Sequence, residues 1–237
     1  MLPLVENAQS WLGGVLDFVY PPLCLGCGGF YEGEGSVCER CRDTIQRLAD
    51  PICLNCLSVL PGRPRCPICA DLSLPLFSYG VYASPLKEII LQYKFKGVTS
   101  PAALMADLIR RQFGDRLAEL MPAVLVPIPL FPGRENQRGY NQAALLAHEL
   151  AVLMETTVDE TLIFRTAKRK PQASLRLRER VKNIRGVFEA VEAEGAPRRV
   201  ILLDDVVTSG ATVLEATQTL SDAGHEVVAV VTIAHGT

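Results

Sequence analysis

The chain has 237 residues, 49% of them hydrophobic and 21% charged, which is material for one well-buried core and a smaller attached module, and excludes a chain that stays disordered. A formal net charge of -2 gives no general attraction to phosphate backbones or acidic membranes, so a nucleic-acid role has to come from a local patch. One such patch runs from Arg165 to Arg185, where nine Lys or Arg residues face a single acidic one, Glu179.

No stretch of about 18 uninterrupted apolar residues occurs, so no transmembrane segment is expected. The first twenty residues lack the basic start and small-residue cleavage site of a signal peptide, so the expected location is the cytoplasm. Any attachment at the inner membrane is then peripheral and made through partners. Thiols stay reduced in that compartment, which turns the eight cysteines toward metal binding and away from disulfides.

In chain order, Trp11, Leu12, Val15, Leu16 and Val19 have helical spacing and Pro21 and Pro22 end it, so residues 1–22 read as a short docking helix. Residues 23–74 change character. All eight cysteines fall there as four CxxC pairs: Cys24 and Cys27, Cys38 and Cys41, Cys53 and Cys56, Cys66 and Cys69. A CxxC pair presents two thiolates from one tight turn, and two turns complete a tetrahedral zinc site, so eight ligands make two sites. Pairing of successive turns and a cross-brace of first with third and second with fourth both satisfy the spacing. Closed four-cysteine sites leave no open position, so both zinc ions are read as structural, in a region too poor in apolar residues to fold without them.

Residues 75–237 alternate strand and helix patterns. LFSYGVYA from Leu76 predicts a strand, Ser84–Phe95 and Ala102–Leu120 predict helices, and AVLVPIPL from Ala123 predicts a buried strand. A helix from Asn141 to Met154 follows, then the basic segment. The strand RVILLDD, a helix from Ala211 to Ala223 stopped by Gly224, and the strand HEVVAVVTIA complete the chain. Strands separated by helices imply an α/β domain with a parallel sheet covered on both faces.

The chemistry concentrates in LLDDVVTSGAT. Four branched aliphatics, Val200 to Leu203, deliver Asp204 and Asp205 to the carboxyl end of a central strand, where ligands bind in open α/β sheets. The run VVTSGAT from Val206 to Thr212 holds no large charged side chain, Gly210 permits close approach, and a helix begins there. An anion fits its free amides, with the hydroxyls of Thr208, Ser209 and Thr212 as further donors. The carboxylates belong on sugar hydroxyls or on magnesium. A P-loop ATPase is excluded, because no GxxxxGK[ST] occurs. In the loop from Pro127 to Arg138, Arg134 and Arg138 are placed to neutralise an anion, and Asn141 to cap the next helix. The three histidines are isolated, and no general base stands out.

LLDDVVTSGAT resembles the diphosphate-sugar signature of type I phosphoribosyltransferases. Further matches narrow the resemblance to the ComF (GntX-like) family of competence-associated proteins. These are YKFKG at Tyr93 to Gly97, VPIPL followed by RGYNQ at Arg138 to Gln142, and the spaced set Gln172, Leu175, Arg180, Asn183 and Phe188. The resemblance implies a type I phosphoribosyltransferase-like domain behind a double zinc ribbon with successive pairing. It implies phosphoribosyl pyrophosphate as ligand together with Mg2+, with Asp204 and Asp205 as the catalytic carboxylates. Related enzymes carry a mobile hood where this chain has its basic segment, which makes Arg165, Gln172, Arg180 and Asn183 hood candidates. A surface for single-stranded DNA and a solvated charged loop are the other readings of that segment. The family further implies handling of DNA during natural transformation or its use as a nutrient, beside membrane-associated import machinery. An enzyme with an unidentified acceptor, a regulatory receptor for phosphoribosyl pyrophosphate and a zinc-ribbon adaptor all satisfy these residues.

Overall fold

The computed structural model describes residues 23–31, 33, 35–63, 65–70, 73–95, 99–131, 133, 138–166 and 186–236. The expected docking helix lies outside them. Within them the elements run α1 (Glu39–Asp43), β1 (Ile52–Cys53), β2 (Pro75–Val81), α2 (Leu86–Phe95), α3 (Pro101–Ala118), β3 (Val124–Pro127) and α4 (Gln142–Met154). They continue with β4 (Ile163–Arg165), β5 (Phe188–Ala190), β6 (Arg199–Val207), α5 (Ala211–Asp222) and β7 (Glu226–His235).

The main sheet has the order β1-β2-β7-β6-β3, parallel throughout except for β1, which pairs antiparallel with β2. Successive strand residues point to opposite faces, and both faces are dry here. On one face Ile201, Leu203, Val231, Ile233 and Phe77 pack with Ile89, Phe113, Leu146 and Leu150 from α2, α3 and α4. On the other, Val200, Leu202, Val230 and Leu76 pack with Val213, Ala216 and Leu220 of α5 and with Ile163 and Phe188 of the β4–β5 pair. Phe77 and Phe113 meet edge to face, centroids 5.4 Å apart, a geometry that aligns the ring edge of one with the electron-rich face of the other. The α/β class expected from the sequence holds, with the cysteine module at the amino-terminal side. No helix among the described residues is long and apolar enough to cross a membrane.

Two features go beyond the sequence reading. β6 continues past the two aspartates to Val207, because Val206 and Val207 pair with Ala234 and His235 of β7. The cysteine module is continuous with the sheet: β1 extends it, Leu48 donates to the Tyr79 carbonyl at 3.0 Å and Val81 to that of Gln46 at 2.9 Å. Cys24, Val37, Cys41 and Ile45 share the core that holds Phe77 and Tyr79.

Candidate functional site

The carboxyl end of β6 brings together three segments that are distant in the sequence. Pleat parity sends Asp205 to the face of Leu203, toward α2, and Asp204 to the face of Leu202. The last turn of α2 supplies Lys94, whose Nζ lies 2.8 Å from Asp205 Oδ1, with both side chains less than one-fifth exposed. Burial first, and the neighbouring charge of Asp205 second, hold the Asp204 carboxyl well above the usual carboxylate range, although the Asp205 amide, Lys94 and Arg165 work the other way. Two carboxylates this close and this poorly hydrated favour a cation.

The third segment is the one around α4. Tyr93 donates its hydroxyl to the Gln142 carbonyl at 2.8 Å, and Tyr140 donates to the Tyr93 carbonyl. Arg138 lies over the Phe95 ring, 4.8 Å from its centroid, and donates to Gln142 Oε1 at 3.1 Å. YKF of α2 is therefore interleaved with RGYNQ. Asn141 caps α4 as its side chain accepts from the Ala143 amide at 3.0 Å, while its Nδ2 donates to the Ile128 carbonyl at 3.1 Å, just beyond β3. Asn141→Ala removes both bonds. It is expected to cost about 1–2 kcal/mol, read as a fall of roughly 2–8 °C in the thermal midpoint.

Beyond β6 the chain turns through exposed Thr208 and Ser209 into Gly210, the residue before α5, with φ +71° and no side-chain cap bond. Residues of α5's first turn thus keep amides free for a ligand. From the far side Gly236 closes on the loop: its amide donates to the Val207 carbonyl at 2.8 Å, and a Cβ on it would fall 2.9 Å from Thr208 Cγ2.

The cysteines form two groups, Cys24, Cys27, Cys38 and Cys41, and Cys53, Cys56, Cys66 and Cys69, each with all four sulfurs within 4.8 Å of one another. Successive turns are paired, not cross-braced. A zinc–thiolate tetrahedron with bonds of about 2.3 Å sets its sulfurs about 3.8 Å apart, so both groups fit the ion. At Cys24 burial opposes the thiolate, but amide hydrogen bonds from Cys38, Cys27 and Gly26 outweigh it and bring the thiol down to about 6. Hydrogen bonds from Ser58 bring Cys56 to about 6. Cys41, chiefly through burial, and Cys69, chiefly through its bond to Cys56, are pushed up. Each group thus sets a thiol with a lowered pKa beside one with a raised pKa, and the two four-cysteine sites support structural zinc.

A double zinc ribbon domain model matches residues 15–72. Competence protein F of Haemophilus influenzae is 30% identical over 218 residues, which cover 90% of each chain. The chain belongs to the competence protein F family. DNA utilization protein YhgH of Escherichia coli is 31% identical over 210 residues, covering 84% of this ComF-family chain and 87% of that protein. Competence protein ComFC of Bacillus subtilis is 29% identical over 208 residues, with 81% and 80% covered. Among solved structures, orotate phosphoribosyltransferase from Aeropyrum pernix covers 60% of this chain and 63% of its own at 17% identity and a TM-score of 0.36. Adenine phosphoribosyltransferase from Leishmania donovani covers 61% and 56% at 17% identity and a TM-score of 0.37.

Of the candidates in this ComF-family chain, Asp204, Asp205 and the residues from Val207 to Thr212 adjoin in β6, its loop and α5, while Arg138 and Asn141 sit on the segment interleaved with α2. Arg165 ends β4, with its guanidinium 5.3 Å from the Phe188 ring. Arg134, Gln172, Arg180 and Asn183 lie outside the described residues. Lys94 was not singled out by the sequence reading, although YKFKG contains it; an isolated lysine near a helix end carries no signal of its partner. His148 pairs with Glu160 at 2.8 Å and His225 with the Val191 carbonyl at 2.9 Å, so neither addresses the aspartates.

Proposed function

We propose that this protein binds phosphoribosyl pyrophosphate with magnesium at the carboxyl end of β6 and serves DNA uptake or DNA utilisation. The observation that carries the reading is the Lys94–Asp205 pair at 2.8 Å, beside a glycine-bearing loop that opens a 12-residue helix. The loop amides, the positive end of α5 and the hydroxyls of Thr208, Ser209 and Thr212 suit the 5-phosphate. Asp204 and Asp205 suit the ribose hydroxyls and the magnesium ion, whose charge relieves the repulsion between them. Lys94, beside Asp205 at the same end of β6, would serve as a counter-charge for the diphosphate. The charges of Arg138 and Arg134 suit the same group, and Asn141 holds the Arg138 segment to the end of β3. Arg165, Gln172, Arg180 and Asn183 serve as a cover that excludes water. Magnesium, when bound, neutralises the diphosphate and makes it a better leaving group.

The names of the relatives, a competence protein and a DNA utilization protein, support the cellular role, and the excess of Lys and Arg from Arg165 to Arg185 suits single-stranded DNA as the alternative to a cover. Transfer of ribose 5-phosphate to an acceptor is the enzymatic form of the reading, and a regulatory receptor is the other. Magnesium-dependent release of pyrophosphate separates the two.

Thermal unfolding tests the ligand. At a hundred times its dissociation constant, a ligand specific for the native state stabilises by about 2.7 kcal/mol, a rise of roughly 5–10 °C for a chain of this length. Phosphoribosyl pyrophosphate with magnesium is expected to give that rise and, with a chelator of magnesium, none. An unchanged midpoint at saturating concentrations of both would overturn the reading.

A further inference from the structure

We infer that Leu54 is a positioning residue through which the second cysteine cluster holds the loop Thr208–Gly210 in its ligand-binding form. The inference rests on the reading of that loop as the phosphate site. Leu54 directly follows the cluster ligand Cys53, which is fully buried. The knuckle fixes its backbone from both sides: Leu57 donates to the Cys53 carbonyl at 2.7 Å, Cys53 to that of Ser58 at 2.8 Å, and Leu54 itself to that of Leu74 at 2.9 Å. Its side chain, 4% exposed, leaves the knuckle and enters the core that holds Val207 and Val213, one on each side of the loop.

The contact with the loop is tight. A Cβ on Gly210 would fall 2.9 Å from Leu54 Cδ1 and 3.4 Å from Cγ, so the leucine occupies the space where any other residue would place its side chain. Gly210 stands at φ +71°, a conformation glycine adopts without strain, and contributes no side-chain cap to α5. The loop is therefore shaped from below by Leu54 and, at Thr208, by Gly236. The knuckle that positions Leu54 has little apolar mass of its own among the described residues, where its interior consists of Cys53, Leu60 and Cys66, with Cys56 and Cys69 against them. Its shape is set by the metal-ligating sulfurs. Loss of metal at this cluster thus releases Leu54, and the loop loses its floor while β6 stays paired.

The test uses the full zinc-loaded chain and the variants Leu54→Ala, Leu54→Met, Cys56→Ser and Leu54→Ala/Cys56→Ser, with folding checked by near-ultraviolet circular dichroism. Two readouts are taken: affinity for phosphoribosyl pyrophosphate with magnesium, and hydrogen exchange at the amides of residues 208–213 without ligand. If the competent fraction of the loop falls to about a tenth, apparent affinity falls roughly tenfold. That loss is expected for Leu54→Ala and for Cys56→Ser, with faster exchange in both. Leu54→Met, which keeps the volume, is expected to stay within about twofold of the parent. Because both changes act through one contact, the double variant is expected to lose no more than about twofold beyond either single one. Folded Leu54→Ala with parental affinity and parental exchange overturns the inference, as do losses that multiply in the double variant. Should Leu54→Ala fail to fold, Leu54→Val takes its place. Should the parent bind no phosphoribosyl pyrophosphate, the ligand reading fails by itself and exchange decides the coupling: faster exchange in both variants upholds it, unchanged exchange overturns it.

Discussion

Replacing Asp204 and Asp205 together by asparagine is expected to weaken magnesium-dependent binding of phosphoribosyl pyrophosphate at least about a hundredfold, while the protein stays folded. Each carboxylate offers charge-assisted bonds worth about 1.5–3 kcal/mol, and two such losses exceed the roughly 2.8 kcal/mol that a hundredfold represents. Stability should change little because two effects oppose each other. Asparagine keeps the shape and removes a repulsion that already pushes the Asp204 carboxyl upward. Against this, Lys94 loses the carboxylate 2.8 Å away, a pair less than one-fifth exposed on either side. Calorimetric titration and thermal unfolding of the same preparation measure both quantities. Parental affinity in the folded double variant would remove these residues from the site.

Stripping zinc is expected to unfold residues 24–69 first, and to weaken the sheet they extend. Structural zinc contributes apparent binding energies of about 10–16 kcal/mol in zinc-finger peptides, as much as the whole stability of an ordinary domain. Among the described residues around the second cluster, only Cys53, Leu60 and Cys66 are buried together, too little apolar surface to replace the metal. The first cluster is joined to the main core through Cys24, Val37, Cys41 and Ile45, so its collapse uncovers Phe77 and Tyr79 of β2. A strong chelator should release two zinc ions per chain, and limited proteolysis should then cut within 24–69 before it cuts the sheet. A metal-free preparation with intact protease resistance in that region would contradict the structural role.

Local chemistry was legible in the sequence, and long-range pairing was not. The strand, loop and helix around LLDDVVTSGAT are contiguous, and their apolar run, glycine and hydroxyls each signal the local geometry. The four CxxC pairs were equally readable, but their spacing allowed two pairings, and only the folded chain selects successive ones. Charged residues look like a strand end, so the sequence pattern alone ends β6 at the aspartates; pairing of Val206 and Val207 with β7 carries it on. β1 is too short for its alternation to register, and β4 and β5 are three residues each, so neither pairing was foreseen. Lys94 and Leu54 acquire meaning only from partners far along the chain, Asp205 and Gly210, that periodicity cannot reveal. Gly236 carries no signal in the sequence, and its role follows only from the Thr208 side chain that lies against it.

The most direct measurement of the central claim is a calorimetric titration of the zinc-loaded protein with phosphoribosyl pyrophosphate, run once with magnesium and once with magnesium chelated. Saturable binding of one ligand per chain with magnesium, and none without it, is the expected result. Absence of binding in both runs, with both zinc sites filled and the protein folded, would contradict the assignment of the β6 end as a phosphoribosyl pyrophosphate site.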